Sequence, residues 1–172
     1  MKNKINRRTF IKTSSAVGSA AAILPNTLLS SSEKKTVKIG FIGTGLRGQW
    51  MLWLAAKYPD VEIPAICDID ESMISSGLRI LKDGGKIKPR VYSKHDEDYL
   101  NMLENEDLDG VYIATPWEWH HPMAIAAMKS DKHVGTEVPA ALTVNECWDL
   151  VNTSEQTGKL CMIMENVCYR RD

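Results

Sequence analysis

A glycine-rich turn in the first third of the chain constrains the fold more than any other feature. The segment Gly43-Thr44-Gly45-Leu46-Arg47-Gly48 follows an apolar run, Val37 to Ile42, and opens a helical pattern, Gln49 to Lys57. Glycine-rich turns are common, so the weight comes from the flanking strand and helix patterns. A strand that passes through such a turn into a helix presents backbone N–H groups and the positive helix end to an anion. The segment therefore predicts a βαβ fold that holds the pyrophosphate of a dinucleotide.

The three glycines of this turn have different tasks in such a fold. Gly43 allows the tight turn, Gly45 lets the backbone approach the phosphates, and Gly48 lets helix and strand pack closely. Each task depends on the missing side chain, so the spacing G-x-G-x-x-G predicts these three as cofactor-binding positions.

An acidic residue stands where this type of site needs one. The next apolar run, Val61 to Cys67, ends in Asp68, which lies 20 residues after Gly48. A carboxylate there accepts hydrogen bonds from the ribose hydroxyls and repels a 2′-phosphate, which favours NAD over NADP. Arg47 could serve either the pyrophosphate or a 2′-phosphate, and Asp68 favours the former. The ordinary alternative for Asp68 is a turn residue at a strand end.

Strand and helix patterns alternate along the remaining sequence. Further helices are predicted at 70–82, 96–105, 121–130 and 143–156, and further strands at 89–93, 110–114, 133–138 and 160–164. Thr143 and Glu146 form a capping-box pattern at the start of the last helix. The alternation predicts an α/β fold, a Rossmann-type doubly wound parallel sheet with helices on both faces.

Three further strand ends carry polar residues. They are the predicted loop Thr115-Pro116-Trp117-Glu118-Trp119-His120, then Glu137-Val138-Pro139, and then Glu165-Asn166. Ligands of such sheets bind at the carboxyl ends of the strands. Ordinary loop chemistry explains Thr-Pro and Asn, but it explains two tryptophans and a histidine in one short loop less well. For His120, a capping or core role and a role in the site are weighed equally.

The first 35 of the 172 residues have the pattern of a targeting segment. Asn6-Arg7-Arg8-Thr9-Phe10-Ile11-Lys12 is a twin-arginine pattern, and the apolar stretch Ala16 to Leu29 is too short and too rich in small residues for a membrane span. We therefore predict export by the twin-arginine (Tat) machinery to a bacterial periplasm for residues 1–35, and an NAD-binding domain for residues 36–172. The alternative is a basic tail without a targeting role.

Charge and cysteine usage narrow the class of partner. The net charge is -1, so nothing in the composition points to nucleic acid. The four cysteines form no C-x-x-C pair and match no zinc spacing. We therefore expect neither a metal site nor a disulfide framework.

These motifs together resemble the NAD(P)-binding domain of the glucose–fructose oxidoreductase/inositol dehydrogenase-like superfamily. The shared features are Gly43-x-Gly45-x-x-Gly48, Cys67-Asp68-x-Asp70, Thr115-Pro116-x-x-x-His120 and Glu137-x-Pro139. Most members have Glu-Lys-Pro at the last of these positions, where the lysine takes part in proton transfer. This chain has Val138 there, which cannot donate or accept a proton.

One branch of that superfamily is more similar still, the NAD-dependent glycoside hydrolase family 109 of the α-N-acetylgalactosaminidase type. It shares the twin-arginine leader, Leu46-Arg47, Trp117-Glu118-Trp119-His120, Glu137-Val138-Pro139 and Glu165-Asn166-x-Cys168-Tyr169. The resemblance implies NAD contacts by Leu46, Arg47, Asp68, Trp117, Glu118, Trp119, His120, Glu137, Val138 and Asn166.

The same resemblance implies the reaction, which would be hydrolysis of terminal α-N-acetylgalactosamine. It would proceed by transient oxidation of the sugar by NAD, elimination of the aglycone, addition of water and re-reduction, without the usual carboxylate pair of glycosidases. The resemblance further implies that the chain is truncated at Asp172, where the second α/β domain of the family begins. That domain, which would supply the substrate pocket and the catalytic residues, is then absent, so no catalytic residue is predicted in this chain. We therefore expect the isolated chain to bind NAD weakly and to hydrolyse nothing.

Two other functions stay open at this point. One is an NAD-dependent sugar oxidoreductase in which another residue replaces the missing lysine. The other is a non-catalytic nucleotide-binding remnant, or a subunit that pairs with a separate substrate domain.

Overall fold

A computed structural model describes residues 36–169 of the chain. The predicted export segment, residues 1–35, lies outside this range, and so do the last three residues. Within the described residues, no helix is both long and apolar enough to cross a membrane.

The described residues form a parallel sheet whose strand order reverses at its centre. The strands are β1 (Val37–Ile42), β2 (Val61–Glu62), β3 (Ala65–Cys67), β4 (Arg90–Tyr92), β5 (Gly110–Ile113), β6 (His133–Thr136) and β7 (Cys161–Ile163). Their order is β4-β3-β1-β5-β6-β7, and β2 pairs in parallel with the start of β1. The chain thus moves outward from β1 to one side and then, from β5 on, to the other. This arrangement confirms the predicted doubly wound fold and places a ligand crevice between the ends of β1 and β5.

Five helices cover the two faces of the sheet. They are α1 (Leu46–Ala56), α2 (Glu71–Asp83), α3 (Asp98–Asn105), α4 (Trp117–Lys129) and α5 (Val144–Thr157), and a 3₁₀ turn follows at Asn166–Tyr169. Leu52 of α1 and Leu81 of α2 pack with Phe41 and Ile66 of the sheet in one buried cluster. The side chains of α3, α4 and α5 form a second cluster, in which Ile113 is fully buried.

Short polar side chains define where two of these helices begin. Asp70 precedes α2 and accepts hydrogen bonds from the backbone N–H groups of Ser72 and Met73, at 2.8 and 3.3 Å. Thr143 and Glu146 form the capping box that the sequence predicts for α5. Gly158 ends α5 with a φ of 68°, in the left-handed region that favours glycine.

Two sequence predictions need correction. The apolar run Val61 to Cys67 is predicted as one strand, but it forms two short strands separated at Ile63 and Pro64. Proline has no N–H to donate to a neighbouring strand, so the ladder is interrupted there.

The second correction concerns the segment from Trp117 to His120, which is predicted as a loop. It forms the first turn of α4, which begins directly after Pro116. Pro122 therefore lies inside the helix rather than in its first turn. Pro122 is the sixth residue of this helix, so the helix lacks the one hydrogen bond that an N–H at this position would donate to the preceding turn.

Candidate functional site

Two of the three glycines in the turn after β1 are required by the fold itself. Gly43 has a φ of 90°, and a Cβ atom there would lie 2.5 Å from the carbonyl oxygen of Ala114. A Cβ atom on Gly48 would lie 2.1 Å from the carbonyl oxygen of Gly43. The first glycine therefore lets β1 and β5 end side by side, and the last lets α1 pack against the turn.

Gly45 is different, because neither its backbone nor its packing requires glycine. Its φ is −62°, which any residue adopts, and no atom lies within 4 Å of the position that a Cβ would take. Gly45 precedes the first residue of α1, and no side chain of the described residues caps this helix end. A helix N-terminus that faces open space beside a glycine fits an anion that approaches the backbone closely, as a pyrophosphate does.

Asp68 lies at the end of β3 and is held in place by the same turn. Its Oδ2 accepts from the backbone N–H of Thr44 at 2.6 Å and from the Thr44 hydroxyl at 3.0 Å, and its Oδ1 accepts from the N–H of Asp70 at 3.0 Å. Thr44 is fully buried, whereas Asp68 is only half-buried. A carboxylate oxygen accepts more than one hydrogen bond, so Oδ1 keeps capacity for a ligand hydroxyl.

A cleft of about 320 Å³ opens between the ends of β1, β3 and β5. Its walls include Gly43, Gly45, Asp68, Thr115 and Trp119. The cleft lies at the point where the strand order reverses, and it has the size of a small-molecule site. The turn, the helix end and the carboxylate thus border one cavity.

A charged network lies on the other side of the turn, toward β6. Nε of Arg47, in the first turn of α1, donates to Oε1 of Glu137 at 2.7 Å, and the hydroxyl of Tyr112 donates to the same oxygen. The Glu137 side chain is 10% exposed and that of Arg47 is 37% exposed. The hydrogen bond to Glu137 raises the pKa of Arg47, and burial raises the pKa of Tyr112. Arg47 is therefore turned toward β6, and its contact with a pyrophosphate stays a prediction.

Tyr112 is not among the site residues that the sequence predicts. It lies in the buried strand β5 between Val111 and Ile113, so its pattern is that of a core residue. The available signal is its hydroxyl, since a buried phenol usually needs a hydrogen-bond partner.

Four predicted cofactor contacts lie in the first turn of α4. Two of these side chains are exposed and two pack inward. Trp117 is 63% exposed, and Glu118 is also exposed. Trp119 packs edge-on against Tyr99, with 6.4 Å between the ring centres. His120 is buried, and its Nδ1 and Nε2 lie 2.8 Å from the carbonyl oxygens of Pro139 and Thr115.

The buried imidazole of His120 therefore ties the end of β5 to the segment that follows β6. This is a structural role for the ring, and contact with a cofactor stays a prediction for this turn.

The remaining predicted contacts lie at the same edge of the sheet. Leu46 is 87% exposed in the first turn of α1, and Val138 is 40% exposed after β6. Asn166, at the start of the 3₁₀ turn after β7, is exposed as well. The parallel strands bring these positions to one edge because their carboxyl ends all meet there.

Comparison with known proteins identifies the family to which the chain belongs. Residues 37–165 match the model of the oxidoreductase family with an NAD-binding Rossmann fold, the Gfo/Idh/MocA family. The chain therefore belongs to the glucose–fructose oxidoreductase/inositol dehydrogenase-like superfamily through its NAD-binding Rossmann domain.

Curated relatives narrow the comparison to one branch. A "Glycosyl hydrolase family 109 protein" of Shewanella pealeana is 44% identical over 98% of this chain, and one of Parabacteroides distasonis is 45% identical over 96%. The chain spans 41% and 39% of the lengths of these two relatives. The resemblance to family 109 thus extends over nearly all of this chain and over the N-terminal part of the relatives.

Solved structures agree on the fold. An NAD-binding protein from Listeria innocua matches with a TM-score of 0.64 and 26% identity, over 77% of this chain and 36% of its own. A scyllo-inositol dehydrogenase from Lactobacillus casei, solved with NAD(H) and scyllo-inositol, matches with a TM-score of 0.65 and 24% identity, over 76% and 36%. The Rossmann fold is therefore shared with proteins that hold this cofactor.

Proposed function

We propose that the chain binds NAD at the edge formed by the glycine turn and Asp68, as the cofactor-binding part of a glycoside hydrolase. The observation that carries the proposal is Gly45, whose missing side chain leaves open space in front of the α1 N-terminus. The backbone N–H groups of the first turn would hold the pyrophosphate there. Asp68, already oriented by Thr44, would accept hydrogen bonds from the ribose hydroxyls.

The same residues support a preference for NAD over NADP. A 2′-phosphate would bring negative charge next to the Asp68 carboxylate. Arg47, the cation within the turn, is paired with Glu137 on the β6 side and is not oriented to compensate. We therefore expect NADP to bind at least tenfold more weakly than NAD, because close like charges cost more than about 1.4 kcal/mol in a partly buried site.

Titration calorimetry of the full chain with NAD tests the binding proposal. The matched pair is wild type and Gly45→Ala, because the added methyl group meets no protein atom but occupies the proposed phosphate space. We expect one NAD per chain for wild type and a large loss of affinity for Gly45→Ala, with unchanged thermal stability. Equal affinities in the two proteins would refute the assignment of this space to the cofactor.

The reaction of the larger protein is a further part of the proposal. When bound, NAD supplies a reversible hydride acceptor, and the residues of this chain bind and orient it. The family resemblance implies hydrolysis of terminal α-N-acetylgalactosamine, with the sugar oxidised only transiently, and two observations favour a hydrolase. Relatives 44% and 45% identical carry the family 109 name, and Val138 stands where most of the superfamily has a proton-transferring lysine.

An NAD-dependent sugar oxidoreductase is the second candidate, favoured by the name of the matching family model. Aglycone release from p-nitrophenyl α-N-acetylgalactosaminide without net NADH would support the hydrolase. NADH accumulation with a free sugar would support the oxidoreductase. We expect neither product from this chain alone.

We also propose that residues 1–35 direct export through the Tat machinery, since Arg7 and Arg8 form the paired motif. Replacing both by lysine keeps the charge, so a purely electrostatic role would be unaffected. We expect the double variant of a reporter fusion to stay in the bacterial cytoplasm while the wild-type fusion is exported. Equal export of both fusions would contradict the proposal.

A further inference from the structure

Side chains from three separate elements meet at one carboxylate oxygen beside the glycine turn. Arg47 comes from the first turn of α1, Glu137 follows β6, and Tyr112 lies on β5, the strand between β1 and β6. Nε of Arg47 and the Tyr112 hydroxyl both donate to Oε1 of Glu137. The network therefore joins the turn to β6 across the width of one strand.

The burial of Glu137 explains why both donors are needed. Its side chain is 10% exposed, and a buried carboxylate is stable only when it is paired with a cation and hydrogen-bonded. Arg47 provides the charge, but its long side chain is 37% exposed and has many rotamers. Tyr112 is 4% exposed and anchored in the strand, so its hydroxyl gives the carboxylate a fixed partner.

The carboxylate in turn restricts Arg47. Glu137 holds Nε from one side, and the guanidinium carbon lies 5.4 Å from the centre of the Trp50 ring on the next turn of α1. Arg47 is the second residue of α1, two positions after Gly45, and part of its side chain remains exposed. A guanidinium held in this way is oriented beside the proposed phosphate space before a ligand arrives.

We propose that Tyr112 is a positioning residue, which fixes Arg47 through Glu137 so that the guanidinium meets the pyrophosphate of the dinucleotide. This inference rests on the proposed NAD function and adds a residue of the buried strand β5 to those that the sequence predicts for the site.

The test compares two tyrosine variants of the full chain. Tyr112→Phe removes only the hydroxyl of the network. Tyr92→Phe is the matched control, because Tyr92 is also a buried tyrosine, on β4, and its hydroxyl donates to a carboxylate, that of Glu106, at 2.5 Å. Neither Tyr92 nor Glu106 lines the cleft. Each variant is titrated with NAD and with adenosine, which lacks the pyrophosphate.

We expect Tyr112→Phe to weaken NAD binding about fivefold, the effect of one hydrogen bond, and to leave adenosine binding unchanged. Tyr92→Phe should leave both ligands unchanged. An equal loss for NAD and adenosine in Tyr112→Phe would show a merely structural role and overturn the inference. Unchanged NAD binding would overturn it as well.

A second readout without ligand separates this inference from the proposed function. The exchange of the Arg47 Nε proton with water, followed by NMR, should be at least about fivefold faster in Tyr112→Phe than in wild type and Tyr92→Phe. If wild type does not bind NAD, the proposed function fails for this chain, and this exchange rate still decides whether Tyr112 holds Arg47. Equal exchange rates in all three proteins would overturn the positioning role.

Discussion

The two halves of the carboxyl edge of the sheet are built from different kinds of contact. On the β1–β3 side, the turn and the carboxylate are joined by backbone groups and short side chains, as in the bonds from Thr44 to Asp68. On the β5–β7 side, long side chains bridge separate elements, and Arg47 and Glu137 are 90 residues apart in sequence.

The β1–β3 half is formed by contacts of backbone groups and short side chains, whereas the β5–β7 half depends on long side chains and leaves apolar residues exposed. Beyond the Arg47 network, the β6–β7 side exposes apolar residues at Val138 (40%), Met162 (50%) and Ile163 (49%). The β1–β3 side presents a closed turn and an oriented carboxylate before any ligand binds. We infer that the first half determines which nucleotide binds, and that the second half adjusts how the charged part of the ligand is held.

The largest effect is expected at the tightest contact of the first half. In Gly48→Ala the new methyl group would lie 2.1 Å from the Gly43 carbonyl oxygen, so α1 must move away from the turn. We expect the free energy of unfolding, measured with urea, to fall by about 3 kcal/mol, the upper end for overpacking. The control is Gly45→Ala, whose stability should match wild type. Equal loss in both variants would contradict the division of tasks between the glycines.

The next effect concerns the nucleotide. Asp68→Ala removes the acceptor of the ribose hydroxyls, and we expect NAD affinity to fall by about 1–3 kcal/mol, measured by calorimetry. Stability should fall too, because Thr44 and Asp70 lose their acceptor. Thr44→Val separates these effects, since it removes one internal donor and leaves the carboxylate. If NAD affinity is unchanged in Asp68→Ala, the ribose assignment is wrong.

A smaller effect is expected in the second half. Thr143→Ala removes the side chain that accepts from the N–H of Glu146 at the start of α5. We expect the free energy of unfolding to fall by about 1 kcal/mol, as for other N-cap residues. NAD affinity should stay the same, because α5 begins away from the cleft. A loss of affinity with this variant would mean that the two halves are coupled more strongly than their contacts indicate.

The smallest effect is a pH dependence at the start of α2. Hydrogen bonds from the hydroxyl of Ser72 and from the N–H groups of Ser72 and Met73 lower the pKa of Asp70 below its ordinary value of 3.8. The ionised form is therefore favoured in the folded state. Its contribution to stability is complete above the unfolded-state pKa and is lost as the pH falls through the lower folded-state pKa.

Asp70→Asn provides the comparison for this contribution, because asparagine still caps the helix but does not titrate in this range. We expect the urea midpoint of the variant to change less than that of wild type as the pH is lowered from about 5 to about 2. Parallel changes in the two proteins would show that Asp70 contributes nothing to the acid dependence.

The features predicted correctly from the sequence are those with a local cause. The glycine spacing, the alternation of strands and helices and the Thr143 capping box each depend on neighbouring residues, and all are present in the structure. Two features differ from the prediction, and each involves a proline. Pro64 interrupts the predicted strand, and α4 begins at Trp117, one turn before the start that is predicted when Pro122 is assigned to the first turn.

The site was predictable to a similar extent. The position of Asp68 at a strand end follows from spacing, and its hydrogen bonds to Thr44 come from the same turn. The pairing of Arg47 with Glu137 and the part played by Tyr112 depend on which strands are neighbours in the sheet, which one sequence does not show. Tertiary neighbours, not residue types, are therefore the missing information.

The most direct test of the central claim is the amide NMR spectrum of the full chain as NAD is added. We expect the largest shift changes at Gly45, Leu46 and Arg47, followed by Asp68, because the pyrophosphate and the ribose would contact these groups. The opposite end of the sheet has a larger cleft of about 610 Å³ beside Lys57 and Lys86, which should not respond. Changes concentrated at that cleft, or none at the glycine turn, would contradict NAD binding at the turn.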